Sequence, residues 1–185
     1  MKHVVWKAYW DFEKEEKWLN EMSAKGMALT DYSWCRYVFT EAPNNDYIYR
    51  LELLEHVPSH AESVAYIRFL EESGIECVAT YWRWIFLRKK ASEGPFNIYS
   101  DIESKINHYR RVSTFFGTIG IINLLAFLIN TTNGIISSLE FHSSFLSSIM
   151  PLIFLNGLFG ICLTWLTIGY LRKISKLKKE KQLHE

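Results

Sequence analysis

The chain has few of the residue arrangements that announce chemistry. Its three cysteines, Cys35, Cys77 and Cys162, show no CxxC or other ligand spacing, which points to a reduced compartment with ordinary thiols rather than to a disulfide framework. There is no Gly-rich phosphate loop, no GxSxG elbow and no Cys/His pair at useful spacing, so no cofactor is implied and an enzyme is not the expected class. A helix-turn-helix needs a third helix that the polar half lacks, which argues against direct nucleic-acid binding. The opening Met1-Lys2-His3-Val4-Val5-Trp6-Lys7 turns charged again before a signal peptide could develop, so the polar half is expected to stay on the side where it is made.

Charge itself is missing from much of the chain. A formal net charge of +1 and a mean hydropathy of -0.04 would suit an ordinary soluble protein. That average hides a division, because the first half is rich in Glu, Lys, Arg, Trp and Tyr and almost no charge remains from Val112 to Leu171. Val112 to Ile129 reads VSTFFGTIGIINLLAFLI, 18 uncharged residues that at about 1.5 Å each reach roughly 27 Å, close to the hydrocarbon thickness of a bilayer. A second uncharged run, Phe145 to Leu171, is longer than a bilayer requires, and Pro151 near its start suits a first turn or a kink.

These runs are expected to span at 112–129 and about 147–171. Lys105, Arg110 and Arg111 precede the first, and Arg172, Lys173, Lys176, Lys178, Lys179 and Lys181 follow the second, while the connection from Asn130 to Ser144 has no Lys or Arg. The positive-inside bias then puts both termini in the cytoplasm and the connection outside. The expected protein is a multi-pass protein of the cell membrane with the lipid bilayer as its first partner. Residues 93–111 serve as a juxtamembrane linker and 172–185 as a basic cytoplasmic tail. Asn123 and Asn156, with Gly117, Gly120, Gly157 and Gly160 nearby, would pair within the hairpin or across a homodimer, since small residues let helices approach and an Asn in hydrocarbon needs a partner.

The polar half reads as one α+β domain over 1–92 built from a repeated unit. Glu13 to Lys25 has helical periodicity, with Asp11 as its cap and Gly26 at its end. Strands are expected at Met27 to Tyr32, Cys35 to Thr40 and Tyr47 to Leu54. A second helix follows Pro58 and Ser59, with Glu62 placed as in a capping box, and ends at Gly74; two more strands, Ile75 to Thr80 and Trp82 to Arg88, follow. An ungapped shift of 48 residues (Gly26 to Gly74) aligns Trp18 with Tyr66, Leu19 with Ile67, Met22 with Leu70 and Trp34 with Trp82. The fold class is therefore a duplicated strand-helix-strand-strand domain, with repeats of about 4–41 and 46–89, followed by a two-helix transmembrane hairpin. One repeat cannot bury its own sheet face, so the two are expected to join into one sheet with both helices on one side.

The stretches Trp10-Asp11-Phe12-Glu13-Lys14-Glu15-Glu16-Lys17-Trp18-Leu19-Asn20-Glu21-Met22, Ala24-Lys25-Gly26, Tyr47-Ile48-Tyr49-Arg50, Ile98-Tyr99-Ser100-Asp101 and Glu103-Ser104-Lys105 together resemble the DUF2812 family of bacterial proteins. The resemblance implies C-terminal membrane spans and a regulatory setting near PadR-type repressors, and it assigns no catalytic residues. The duplicated architecture is also similar to that of GyrI-like effector-binding domains, which hold small apolar ligands between two repeats, an analogy at the level of fold.

Strand alternation points Tyr37, Phe39, Ile85 and Leu87 to one face and Trp34, Arg36, Val38, Trp82, Trp84 and Phe86 to the other. If helices cover the first face, the second must meet a ligand, a partner, the membrane surface or another part of the chain. Trp34, Trp82, Trp84 and Phe86 are thus candidate ligand-binding residues, with Arg50 and Glu52 to orient a polar group among them or to form a cross-strand ion pair. Asp11, Glu13, Glu15 and Glu16 are explained by the helix dipole. His56 and His60 flank Pro58 and Ser59 and so share no helical face, and no metal site is expected. The expected function is a membrane-tethered sensory or adaptor module that binds an amphiphilic small molecule or a membrane protein. A structural subunit of a membrane complex is the alternative, and an enzyme using the same cleft a third.

Overall fold

The structure, a computed structural model, describes residues 1–99, 101–141 and 145–184. The chain divides into two units, Met1–Ser100 and Asp101–Glu185.

In the first unit β1 (Lys2–Trp6), α1 (Phe12–Ala24), β2 (Met27–Ser33) and β3 (Arg36–Glu41) form one repeat, and β4 (Tyr47–Leu53), α2 (Ala61–Glu72), β5 (Glu76–Tyr81) and β6 (Trp84–Lys90) form the other. Each repeat folds into its own antiparallel three-stranded sheet, in the orders β1-β3-β2 and β4-β6-β5. The duplication extends to backbone detail. Register shifts fall between Leu29 and Asp31 and between Cys77 and Ala79, and Gly26 and Gly74 have φ of 75° and 80° where the helices end. At Gly26 only glycine fits, because an added Cβ would lie 2.6 Å from Asn44 Oδ1 and 2.8 Å from the Ala42 carbonyl oxygen.

Local signals set the helix ends. Asp11 caps α1 by accepting from the Glu13 amide at 3.1 Å. In α2 the cap is His60 rather than Ser59, with His60 Nδ1 facing the Glu62 amide at 3.4 Å.

The single sheet expected from the sequence is not formed. Where β2 runs beside β5, the Leu29 amide donates to Tyr49 Oη at 2.8 Å and the Leu29 carbonyl accepts from Arg88 Nη1 at 3.0 Å. Side chains of the second repeat thus satisfy the edge of β2, and the neighbouring bulges twist both edges. Nor do the helices lie on one side. Ile85 and Leu87 share a core with Leu70 of α2, so Phe86 faces away from α2, yet its ring lies 4.3 Å from Tyr32, which pairs with Tyr37 on the α1 side of its sheet. The α1 side of the first sheet therefore meets the side of the second sheet that α2 leaves open.

The outer edge of β4 is closed by α1. Glu16, Asn20 and Ser23, spaced to share one helical face, bond to alternate residues of the strand: the Leu51 amide donates to Glu16 Oε1 at 2.8 Å, the Tyr49 amide to Asn20 Oδ1 at 2.9 Å, and Ser23 Oγ to the Tyr47 carbonyl at 2.7 Å. An exposed ladder is thereby paired without a further strand.

The second unit consists of α3 (Ile102–Phe141) and α4 (Phe145–His184), packed side by side. Both are long and apolar enough to cross a membrane. They extend beyond the uncharged runs: α3 starts at Ile102, where Asp101 Oδ1 accepts from the Ser104 amide at 2.7 Å, and its helix continues through most of the expected connection, of which 142–144 lie outside the described residues. Thr131 and Thr132 are absorbed into it by donating to the carbonyls of Phe127 and Leu128. Pro151 lies inside α4, in its second turn. Glycines form the seam, as Gly160 lies against Leu124 and Gly157 against Phe127, where an added Cβ would come within 2.7 Å and 3.0 Å of side-chain atoms.

Candidate functional site

The six ligand-binding candidates fall into three places. Arg50 and Glu52 do project together, but they pair across the ladder with Leu87 and Ile85, whereas Trp84 and Phe86 pair with Leu53 and Leu51 on the opposite face. One cleft cannot contain all four. Glu52 is buried under α2, accepting from Tyr66 Oη at 2.8 Å. Arg50 Nη1 donates to the Tyr49 carbonyl at 2.9 Å and lies 3.9 Å from Glu16 Oε2.

Phe86 is fully buried against Tyr32, and the half-buried Trp84 ring lies 5.7 Å from Phe12. Among the alternatives left open by the sequence, the β6 part of the second aromatic face is covered by another part of the same chain, the first repeat.

Trp34 and Trp82 do not lie in strands. They occupy the tips of the β2-β3 and β5-β6 hairpins with φ of 40° and 54°, and are 73% and 71% exposed. The strand pairing expected there gives way because a two-residue turn needs positive φ. The two tips come together at one end of the unit: the Trp34 ring is 6.4 Å from Tyr81, the residue before Trp82, and Tyr81 stands edge-on to Tyr32 at 5.6 Å. Trp6, 69% exposed, pairs with Arg36 beside the first tip. Large aromatic rings left in water at symmetry-related turns, in a backbone region costly for a residue with a Cβ, form a surface that the core does not require.

Behind this end lies a buried carboxyl that the sequence reading assigned to the helix dipole alone. Glu15 is on the buried stripe of α1 with Phe12, Leu19 and Ser23, and it accepts a 2.6 Å hydrogen bond from Tyr37 Oη. Burial, against the lowering effect of Tyr37, pushes its pKa up to about 7; burial and the Glu15 charge push Tyr32 up to about 12 and Tyr37 higher still. An acidic residue at a core position of the helix was the available sign. Trp18 closes the group with its ring 4.8 Å from Tyr37.

In the helical unit Asn123 Nδ2 donates to the Ile119 carbonyl of its own helix at 2.8 Å, and Asn156 is half-buried on α4. His56, His60 and Glu62, by contrast, come together, with one ligand atom from each within 4.8 Å of the others.

Comparison with curated proteins and with solved structures finds no match. The profile of a family described as "Protein of unknown function (DUF2812)" matches residues 11–121, which takes in most of the duplicated unit and the start of α3. The chain therefore belongs to the DUF2812 family.

Proposed function

We propose that the chain crosses the membrane twice, with both termini in the cytoplasm, and that its duplicated unit is an adaptor or sensory module receiving a protein partner or an amphiphile on the tryptophan-bearing end. The observation that carries this reading is the convergence of Trp34 and Trp82, equivalent in the two repeats, with Trp6 beside them. Tryptophan supplies large contact area with a polar handle and is enriched at interfaces.

Membrane insertion is supported by the surfaces of α3 and α4. Only 17% of the most apolar window of each is buried, and Ile121, Leu125, Leu128, Phe154, Ile161 and Trp165 face outward. A core helix of a water-soluble protein would hide such residues, whereas hydrocarbon accepts them.

A photoreactive residue placed at position 34 or 82 of the full chain in its native membrane tests the reading, with position 72 on the exposed end of α2 as the control. Adducts at 34 and 82, well in excess of those at 72, are expected. Equal yields at all three positions would remove the assignment of the aromatic end.

A further inference from the structure

We infer that His56, His60 and Glu62 form a binding site for a divalent transition metal of the zinc type. The connection from β4 to α2 assembles it. Val57-Pro58-Ser59-His60 is a turn closed by the His60 amide on the Val57 carbonyl at 2.9 Å, with Pro58 at the position where its fixed φ favours the turn. Ser63 Oγ donates to the His56 carbonyl at 3.3 Å and pins the other end. The chain therefore folds back on itself, and the imidazoles of His56 and His60 stack at 4.1 Å without sharing a helical face.

Spacing is what makes this a ligand set. His56 Nε2 lies 3.5 Å from Glu62 Oε2, near the separation of two ligands around a tetrahedral ion with bonds of about 2.0–2.2 Å. The three ligand atoms all lie within 4.8 Å of one another, so small rotations of exposed side chains would bring the third into range. Nδ1 of His60 faces the Glu62 amide at the helix cap, which leaves Nε2 for an ion. Two imidazoles and one carboxylate suit zinc, nickel or copper rather than the oxygen-seeking magnesium and calcium. Three protein ligands leave one position for water or for a group from a partner.

The alternative role of the cluster is a helix cap with an ion pair between His56 and Glu62. His60→Asn separates the two, because Asn is among the best capping residues and removes the imidazole. Full-length protein in detergent, with any affinity tag removed, is titrated with Zn²⁺ and with Co²⁺, whose visible absorption reports its coordination. One equivalent is expected to bind, Mg²⁺ and Ca²⁺ should not compete, and Zn²⁺ should raise the melting temperature. His60→Asn, His56→Ala and Glu62→Gln are each expected to weaken Zn²⁺ about tenfold or more. His3→Ala, an exposed histidine beside Glu41, is expected to change nothing. Zn²⁺ binding unaltered in the double variant His56→Ala/His60→Asn, or weakened equally by His3→Ala, would overturn the assignment.

Discussion

Glu15 couples the duplicated unit to pH. The Glu15 pKa is raised by burial from 4.5 to about 7, so between those values the folded chain holds a proton that the unfolded chain has lost. The contribution of this group to stability is full below the lower value and declines as pH rises through the upper one. Glu15→Gln keeps an acceptor for Tyr37 and cannot ionise. Wild type is therefore expected to lose up to about 3 kcal/mol relative to the variant between about pH 5 and 7.5, read from urea melts at stepped pH. The two helix-ending glycines provide another contrast at this scale. Both have positive φ, but a Cβ at Gly26 meets Asn44 and Ala42 below 3 Å, whereas at Gly74 it meets only the flexible end of Glu93 at 3.3 Å. Gly74→Ala is expected to cost about 1 kcal/mol and Gly26→Ala about 3 kcal/mol or more, by the same melts.

Among the elements, α1 has the most varied task. One side covers its own sheet through Leu19 and Trp18, while Glu16, Asn20 and Ser23 complete the edge of β4 in the other repeat. Asn20 is central to this, since it serves both the amide and the carbonyl of Tyr49. Asn20→Ala should leave the Tyr49 amide without its partner and cost about 1–3 kcal/mol. Hydrogen exchange gives the local check: the Tyr49 amide is expected to exchange faster in the variant while amides of β3 change only with the global stability. The limits of α1 were legible in the sequence from Asp11 and Gly26, because capping is a matter of a few adjacent residues. Its reach onto β4 was not, because Asn20 and Tyr49 meet only when the repeats dock.

At the scale of the whole molecule, the charge pattern around α3 and α4 makes a topological prediction. A reporter attached at Asn133 should signal the outside and one at Glu185 the cytoplasm, since the basic residues flank the outer ends of the helix pair. An outside signal from Glu185 would overturn this orientation, and a cytoplasmic signal from both positions would contradict two crossings. The family, the α+β class and the paired apolar helices were all readable in the chain, as was the duplication. The arrangement of the six candidate residues was not, because strand alternation tells which residues share a face and not what lies against it. Arg50 and Glu52 share a face as the alternation required, and α2 covers it; Phe86 shares the other, which the first repeat covers.

What the sequence by itself determined is local or compositional: helix limits written in caps and glycines, a shift of 48 residues (Gly26 to Gly74) that recurs in the bulges of β2 and β5, and two uncharged runs long enough to cross a membrane. What the tertiary structure alone decided depends on residues far apart in the chain. The repeats form two sheets because Tyr49 and Arg88 take the polar groups of Leu29 that a continuous ladder would have used. Trp34 and Trp82 leave their strands because each hairpin closes on a left-handed backbone without a glycine to signal it. His56 and His60 meet because a proline turn, rather than a helix, sets their spacing.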